Sequence, residues 1–249
     1  MLHLIACISL GIAFASAAAI VFDEIKHPQQ MWVMNIVWPV TALYFSVIAV
    51  WFYFRAGRKM TRDTLSMASH GATASMHGMH GEQSSKTSAQ APRNPTGATN
   101  PTFTQVAISA SHCGAGCVIG DVIAEFGVFS LGMTMLGVAL YASYAADFTL
   151  AWIFGIAFQY FVIKPMKHLT PGQGLIAAIK ADTLSIIAFE IGMFAWMALV
   201  FFVLFPHPHL MPTEARYWLM MQIAMVIGFI TSLPVNRWLL KAGLKEVMG

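Results

Sequence analysis

The chain has 249 residues, of which 57% are hydrophobic and 10% charged, with a mean hydropathy of +0.66. Soluble domains carry about 25% charged residues, so this composition excludes a soluble enzyme, a nucleic-acid-binding module and a disordered scaffold. The net charge of +3, from 14 basic and 11 acidic residues, matters less than its distribution along what reads as a membrane protein.

A helix that crosses a bilayer needs about 20 apolar residues. Six such stretches are read in chain order: Leu2 to Phe22, Trp32 to Phe54, about Gly120 to Ala146, about Phe148 to Ile163, Thr183 to Phe205, and Tyr217 to Val235. The fourth is short for a crossing. Ala15-Ser16-Ala17 has the form of a signal-peptidase site, but no basic region precedes it and the apolar run continues through Phe22, so it is read as part of the first span. The expected fold class is all-α: a polytopic integral membrane protein with about six transmembrane helices. Pro39 and Pro234 are expected at kinks or span ends.

The basic residues orient this layout. Arg55, Arg58, Lys59, Arg62, Lys86 and Arg93 follow the second span, Lys164, Lys167 and Lys180 lie between the fourth and fifth, and Arg237, Lys241 and Lys245 follow the sixth. Only Lys26 and Arg216 remain for the other side, so the positive-inside rule puts both termini in the cytoplasm. Short outer loops are expected near Asp23 to Gln30, at Asp147, and from Pro206 to Arg216. A further crossing by Phe103 to Ile119 would destroy this bias. That Gly- and Cys-rich segment is therefore expected to be re-entrant or interfacial, or a cytoplasmic extension of span three. Leu175 to Lys180 is expected to lie at the inner interface.

Three regions result: an N-terminal transmembrane hairpin (1–54), a linker (55–102), and a four-helix membrane core (103–249). The linker is rich in Ser, Thr, Ala, Gly and Pro and is expected to be disordered. It contains His70, Met76, His77, Met79 and His80, whose imidazoles and thioethers form an accessory Cu(I) capture tract. The alternative is a low-complexity tract whose histidines do nothing.

The string from Ser111 to Glu125 carries the most chemistry. Cys113, Cys117, Asp121 and Glu125 recur every four residues, which puts them on one helical stripe, with His112 flanking it. Thiolates with an imidazole suit Cu(I) or Zn(II), so these five residues are the expected metal ligands. Gly116 and Gly120 equally form a small-xxx-small packing face, but packing alone does not explain His112, Asp121 and Glu125. Glu190, within span five, is a functional candidate because an ionisable group at membrane depth is costly. Asp182, Asn35 and Gln159 join it as an expected polar path, with Tyr160 and Gln222 also embedded. His207 and His209 are read as a solvated outer loop. Three cysteines do not make a disulfide framework, and Cys7 is read as a small residue within the first span.

His112-Cys-Gly-Ala-Gly-Cys117, followed by Gly120-Asp121 and Ala124-Glu125, resembles an uncharacterised family of bacterial multi-pass membrane proteins, a domain of unknown function. Met34 to Tyr44, Phe154 to Tyr160, Lys180 to Ser185 and Pro234 to Trp238 resemble it as well. The resemblance implies the bacterial inner membrane and the multi-pass architecture. It implies no activity, catalytic residue or cofactor.

The expected function is binding or transport of a soft metal ion, copper first and zinc second, within the lipid bilayer. The alternatives are a membrane thiol–disulfide oxidoreductase using Cys113 and Cys117, and a non-catalytic assembly factor. No nucleotide cofactor and no nucleic-acid partner is expected, since there is no phosphate-binding loop and no single basic patch.

Overall fold

The computed structural model describes residues 1–61, 100–167 and 169–245. The His/Met tract at His70, Met76, His77, Met79 and His80 lies outside the described residues. So does the expected disordered linker, apart from its two ends.

Helix α1 (Leu2–Lys26) buries Ala6, Ala13, Ser16 and Ile20 and exposes Leu4, Ile8, Phe14 and Phe22. The inward residues recur at intervals of three, four and seven, one face of a helix. The outward face is the large apolar surface a lipid environment accommodates.

The second expected span, Trp32 to Phe54, is not one long helix. It forms two short antiparallel helices, α2 (Met34–Phe45) and α3 (Val47–Arg55), joined at Ser46 with φ of 50°. A non-glycine residue at positive φ is uncommon and here reverses the chain within one residue. The Trp38 ring on α2 meets Phe52 and Tyr53 on α3 edge-on, with centroids 5.5 and 5.6 Å apart. At the base of the hairpin, Tyr53 Oη donates to Asp23 at 2.8 Å, Arg58 pairs with Asp23 at 3.4 Å, and Gln29 and Thr61 form an antiparallel bridge. The chain thus leaves on the face by which it entered. At the tip, Phe45 packs edge-on against Phe229 at 4.8 Å.

Helix α4 (Phe103–Leu131) starts at a capping box in which Gln105 N donates to Thr102 Oγ1 at 3.3 Å and Thr102 N to Gln105 Oε1 at 2.9 Å. It runs uninterrupted, so the HCGAGC segment belongs to the second long helix itself. The element that folds back on itself is the α2–α3 hairpin. Gly132 ends α4 at φ of 60°, and Leu136 and Gly137 follow at 54° and 79°. The turn at 132–138 therefore splits the expected span Gly120 to Ala146. Those residues stay apolar through the turn, so composition alone does not reveal it. Helix α5 (Ala139–Lys167) then absorbs Asp147, which lies within the helix and not in an outer loop.

Thr170 caps α6 (Pro171–Leu199) with Gln173, and Pro171 supplies a preset first turn. Leu175 to Lys180 is accordingly part of this long helix, which closes in a π turn at Val200–Leu204. Helix α7 (Ala215–Lys241) completes the bundle. Pro39 and Pro234 lie inside α2 and α7.

Five helices, α1 and α4 to α7, are long and apolar enough to cross a bilayer. Gln222, near the start of α7, receives a 2.8 Å hydrogen bond from Ser9, near the start of α1, so these helices run parallel. Leu2 and Lys241 therefore lie at opposite ends of the bundle. Six alternating spans would put these two residues at the same end; the fold-back of α2 on α3 is what separates them.

Close approach of backbones fixes the bundle around α4. A Cβ on Gly116 would lie 2.7 Å from the Gly155 Cα, and one on Gly120 2.7 Å from the Ala151 Cα. The small-residue face read from sequence is thus the α4–α5 contact. A second such contact joins α6 and α7, where a Cβ on Gly228 would lie 2.7 Å from the Phe189 carbonyl oxygen.

Candidate functional site

Helix α4 carries Ser109, His112, Cys113, Cys117, Asp121 and Glu125 as a buried ladder. From the first to the last is about 24 Å of helix at 1.5 Å per residue, most of a hydrocarbon core about 30 Å thick. Helix α5 answers with Ser143, Asp147, Ala151, Gly155 and Gln159 at the same four-residue interval, all buried or against α4.

Towards the start of α7, the ladder ends in carboxylates. Ser143 Oγ donates to Glu125 Oε2 at 3.1 Å, and Tyr217 and Asp147 also face Glu125. Asp121 has Glu190, Asp147 and Glu125 as charged neighbours. All four carboxylates are at most 4% exposed, and both oxygens of Asp121 and of Glu190 lack a hydrogen-bond partner. Among the described residues, no lysine or arginine pairs with any of the four. Each such group at mid-membrane costs about 2.5–3.5 kcal/mol on insertion scales. A cluster of them demands positive charge, as protons or as a cation.

Next along the column are the thiols. Cys113 and Cys117 are free and fully buried. Glu190 stands beside Cys117, and Tyr44 from the hairpin lies beside both sulfurs. Because α4 is regular here, residues four apart hold their Cβ atoms about 5–6 Å apart, beyond the 3.5–4.5 Å of a disulfide.

His112 is brought to a different surface. Its ring meets Phe158 of α5 at 6.1 Å, its charged neighbour is Lys245, and neither ring nitrogen has a partner. Among the described residues, no three His, Cys, Asp or Glu side chains converge as a preformed metal cage. Asn35 is not on the column, since its Oδ1 accepts from Gln29 N at 3.0 Å and braces the α1–α2 loop. Gln159 is fully buried with both amide atoms unpartnered. Asp182 lies in a separate cluster with Lys245, Asn236 and Ser109.

A cavity of about 590 Å³ opens on Glu125, Ser143 and Tyr217 and reaches His209 in the α6–α7 loop. His209 is not solvated alone there: it stacks on Phe201 at 3.7 Å and its Nδ1 is 3.1 Å from the Phe205 carbonyl oxygen. Sequence reading missed Asp147, Ser143, Tyr44, Tyr217, Asn236 and Lys245. The four-residue repeat along α5 is the signal that carries Ser143 and Asp147, while nothing local marks Lys245.

Residues 102–245, more than half of the chain, match the family model for DUF4396, a domain of unknown function. The chain belongs to the DUF4396 family. No curated protein and no solved structure matches it. The DUF4396 region takes in α4 to α7 and with them every carboxylate and thiol of the column. Helices α1 to α3, including Met34 to Tyr44, lie outside the match, yet the hairpin brings Tyr44 to the DUF4396 thiols.

Proposed function

We propose that this protein is a bacterial inner-membrane transporter that passes a soft transition-metal ion, copper first and zinc second, along the column from Cys113 to Glu125. The observation that supports the reading is the contiguity of two free thiols with four buried carboxylates that, among the described residues, have no paired lysine or arginine. The donor set is narrower than the sequence suggested: Cys113, Cys117 and Glu190, with Asp121 next, and without His112. Soft sulfur ligands favour Cu(I) over the hard cations that carboxylates alone would take. Neighbouring donors without a closed cage suit a cargo that must leave again, whereas a structural metal site is closed by its ligands.

For orientation, 10 of the 11 basic residues outside 62–99 lie towards the end of the bundle where α4 begins, leaving Arg216 at the other. The positive-inside rule makes the former end cytoplasmic. The C-terminus is then inside, the N-terminus outside, and the cavity on Glu125 faces out.

The test is anaerobic loading of detergent-purified protein with Cu(I) or Zn(II), followed by elemental analysis and by uptake into proteoliposomes. Wild type should retain stoichiometric metal and transport it, while Cys113→Ser/Cys117→Ser should do neither. A variant lacking Ser66 to Gly81 should retain the membrane-bound metal. Wild type without metal or flux would overturn the reading. Loss of all metal in the deletion alone would move the site to the linker.

A further inference from the structure

The second buried cluster, outside the thiol–carboxylate column, is built around a lysine. Helix α7 ends at Lys241, and Gly243, at φ of 67°, turns the chain back so that Leu244 N and Lys245 N both donate to the Leu239 carbonyl oxygen at 3.1 and 3.3 Å. This turn drives Lys245 into the bundle, where its side chain is 0% exposed. Its ammonium meets Asp182 Oδ1 at 2.6 Å, Asn236 Oδ1 at 2.8 Å and the Ser109 carbonyl oxygen at 3.4 Å. Three N–H groups meet three oxygens contributed by three different helices.

Two of these oxygens are held independently of the lysine, the Ser109 carbonyl by the backbone of α4 and the Asn236 amide by its neighbours. Asn236 Nδ2 donates to Ser185 Oγ at 2.7 Å and to the Ser232 carbonyl oxygen at 3.0 Å, which turns Oδ1 towards the cluster. Ser109 Oγ adds a 3.2 Å hydrogen bond to that same Oδ1. Asp182 Oδ2 is buried and unpartnered, a fourth oxygen beyond the three that hold the ammonium. A carboxylate, an amide oxygen and a backbone carbonyl make a hard oxygen set of the kind that binds hard cations. An ammonium resembles potassium in charge and size.

We propose that Asp182, Asn236 and the Ser109 carbonyl form a monovalent-cation site of potassium type, kept filled by the chain's own Lys245. The lysine is a tethered occupant, and withdrawal of the 242–245 turn opens the site to a free cation. This goes beyond the transport reading and holds whether or not the column carries a metal.

Purified full-length protein is compared in potassium chloride and in choline chloride at equal ionic strength, with rubidium-86 as the binding probe. Wild type should bind no rubidium and melt identically in both salts. Lys245→Met should bind rubidium and melt at least about 3 °C higher in potassium, as a ligand specific to the folded state requires. Adding Asp182→Asn should abolish both effects. A folded Lys245→Met that binds no rubidium and ignores potassium would overturn the proposal. Recovery of that variant only in potassium would support it. If neither salt yields folded Lys245→Met, Lys245→Ala is prepared with propylammonium or tetramethylammonium. Rescue by propylammonium alone supports a cation-shaped site, and rescue by neither overturns it.

Discussion

Gly120 of α4 faces Ala151 of α5 so closely that a Cβ on the glycine would fall 2.7 Å from the alanine Cα. Two backbones in contact leave no flexible atom to yield. Gly120→Leu should therefore prevent the α4–α5 crossing and give no folded protein, since overpacking costs about 1–3 kcal/mol even where side chains can move. Gly127→Ala is the matched control, because nothing lies within 4 Å of its added methyl. Removing a mid-helix glycine there should raise stability by up to about 1 kcal/mol. Thermal unfolding in detergent reads both.

The hairpin predicts topology. Reporter fusions at the two ends of the chain should report opposite sides of the membrane, and a cysteine at Ser46 should resist aqueous labelling from either side. Six crossings would give matching reporters.

Gln222 bolts the hairpin tip to α1 and α7: its Nε2 donates to the Leu43 carbonyl at 2.7 Å and its Oε1 accepts from Ser9. Gln222→Leu leaves Leu43 O and Ser9 Oγ without partners. The expected cost is about 1–3 kcal/mol, read as a lowered melting temperature.

Column residues should separate from bracing residues in transport. Glu190→Gln should lower metal uptake by at least about tenfold, the effect of about 1.4 kcal/mol or more on a rate-limiting step. Asn35→Ala should leave uptake unchanged and cost about 1 kcal/mol of stability through its lost loop hydrogen bond. Equal uptake in both variants would remove Glu190 from the path.

Metal loading should weaken as pH falls. Thiols must lose their protons to ligate, so protons and metal compete for Cys113 and Cys117. Retention measured across acidic to neutral pH should rise with pH, and a flat profile would argue against thiolate ligation.

Hydrophobicity made the long helices legible, and the four-residue spacing of Cys113, Cys117, Asp121 and Glu125 made one face of α4 legible. The hairpin was not, because two short helices folded back on each other have the same apolar content as one long helix. Asp147 reads as a loop in sequence because it falls between two expected spans; its place beside Glu125 becomes visible only once α4 and α5 are packed. Lys245 looked like one more cytoplasmic charge, since Asp182 and Ser109, which hold it, lie far away in sequence.

Thr61 closes against Gln29, and the cavity lined by Gln29 and Arg55 is lined as well by Thr102 and Gln105. Thr61 and Thr102 therefore lie at the same end of the bundle. The described residues of 1–61 and of 100–245 contact each other through packed surfaces, so two polypeptides divided between residues 61 and 100 carry every interface found among the described residues. The first of them grips the DUF4396 unit along the length of α2, where Met34, Val37 and Trp38 share a core with Ile108, Ala115 and Phe158, and along the flank of α1.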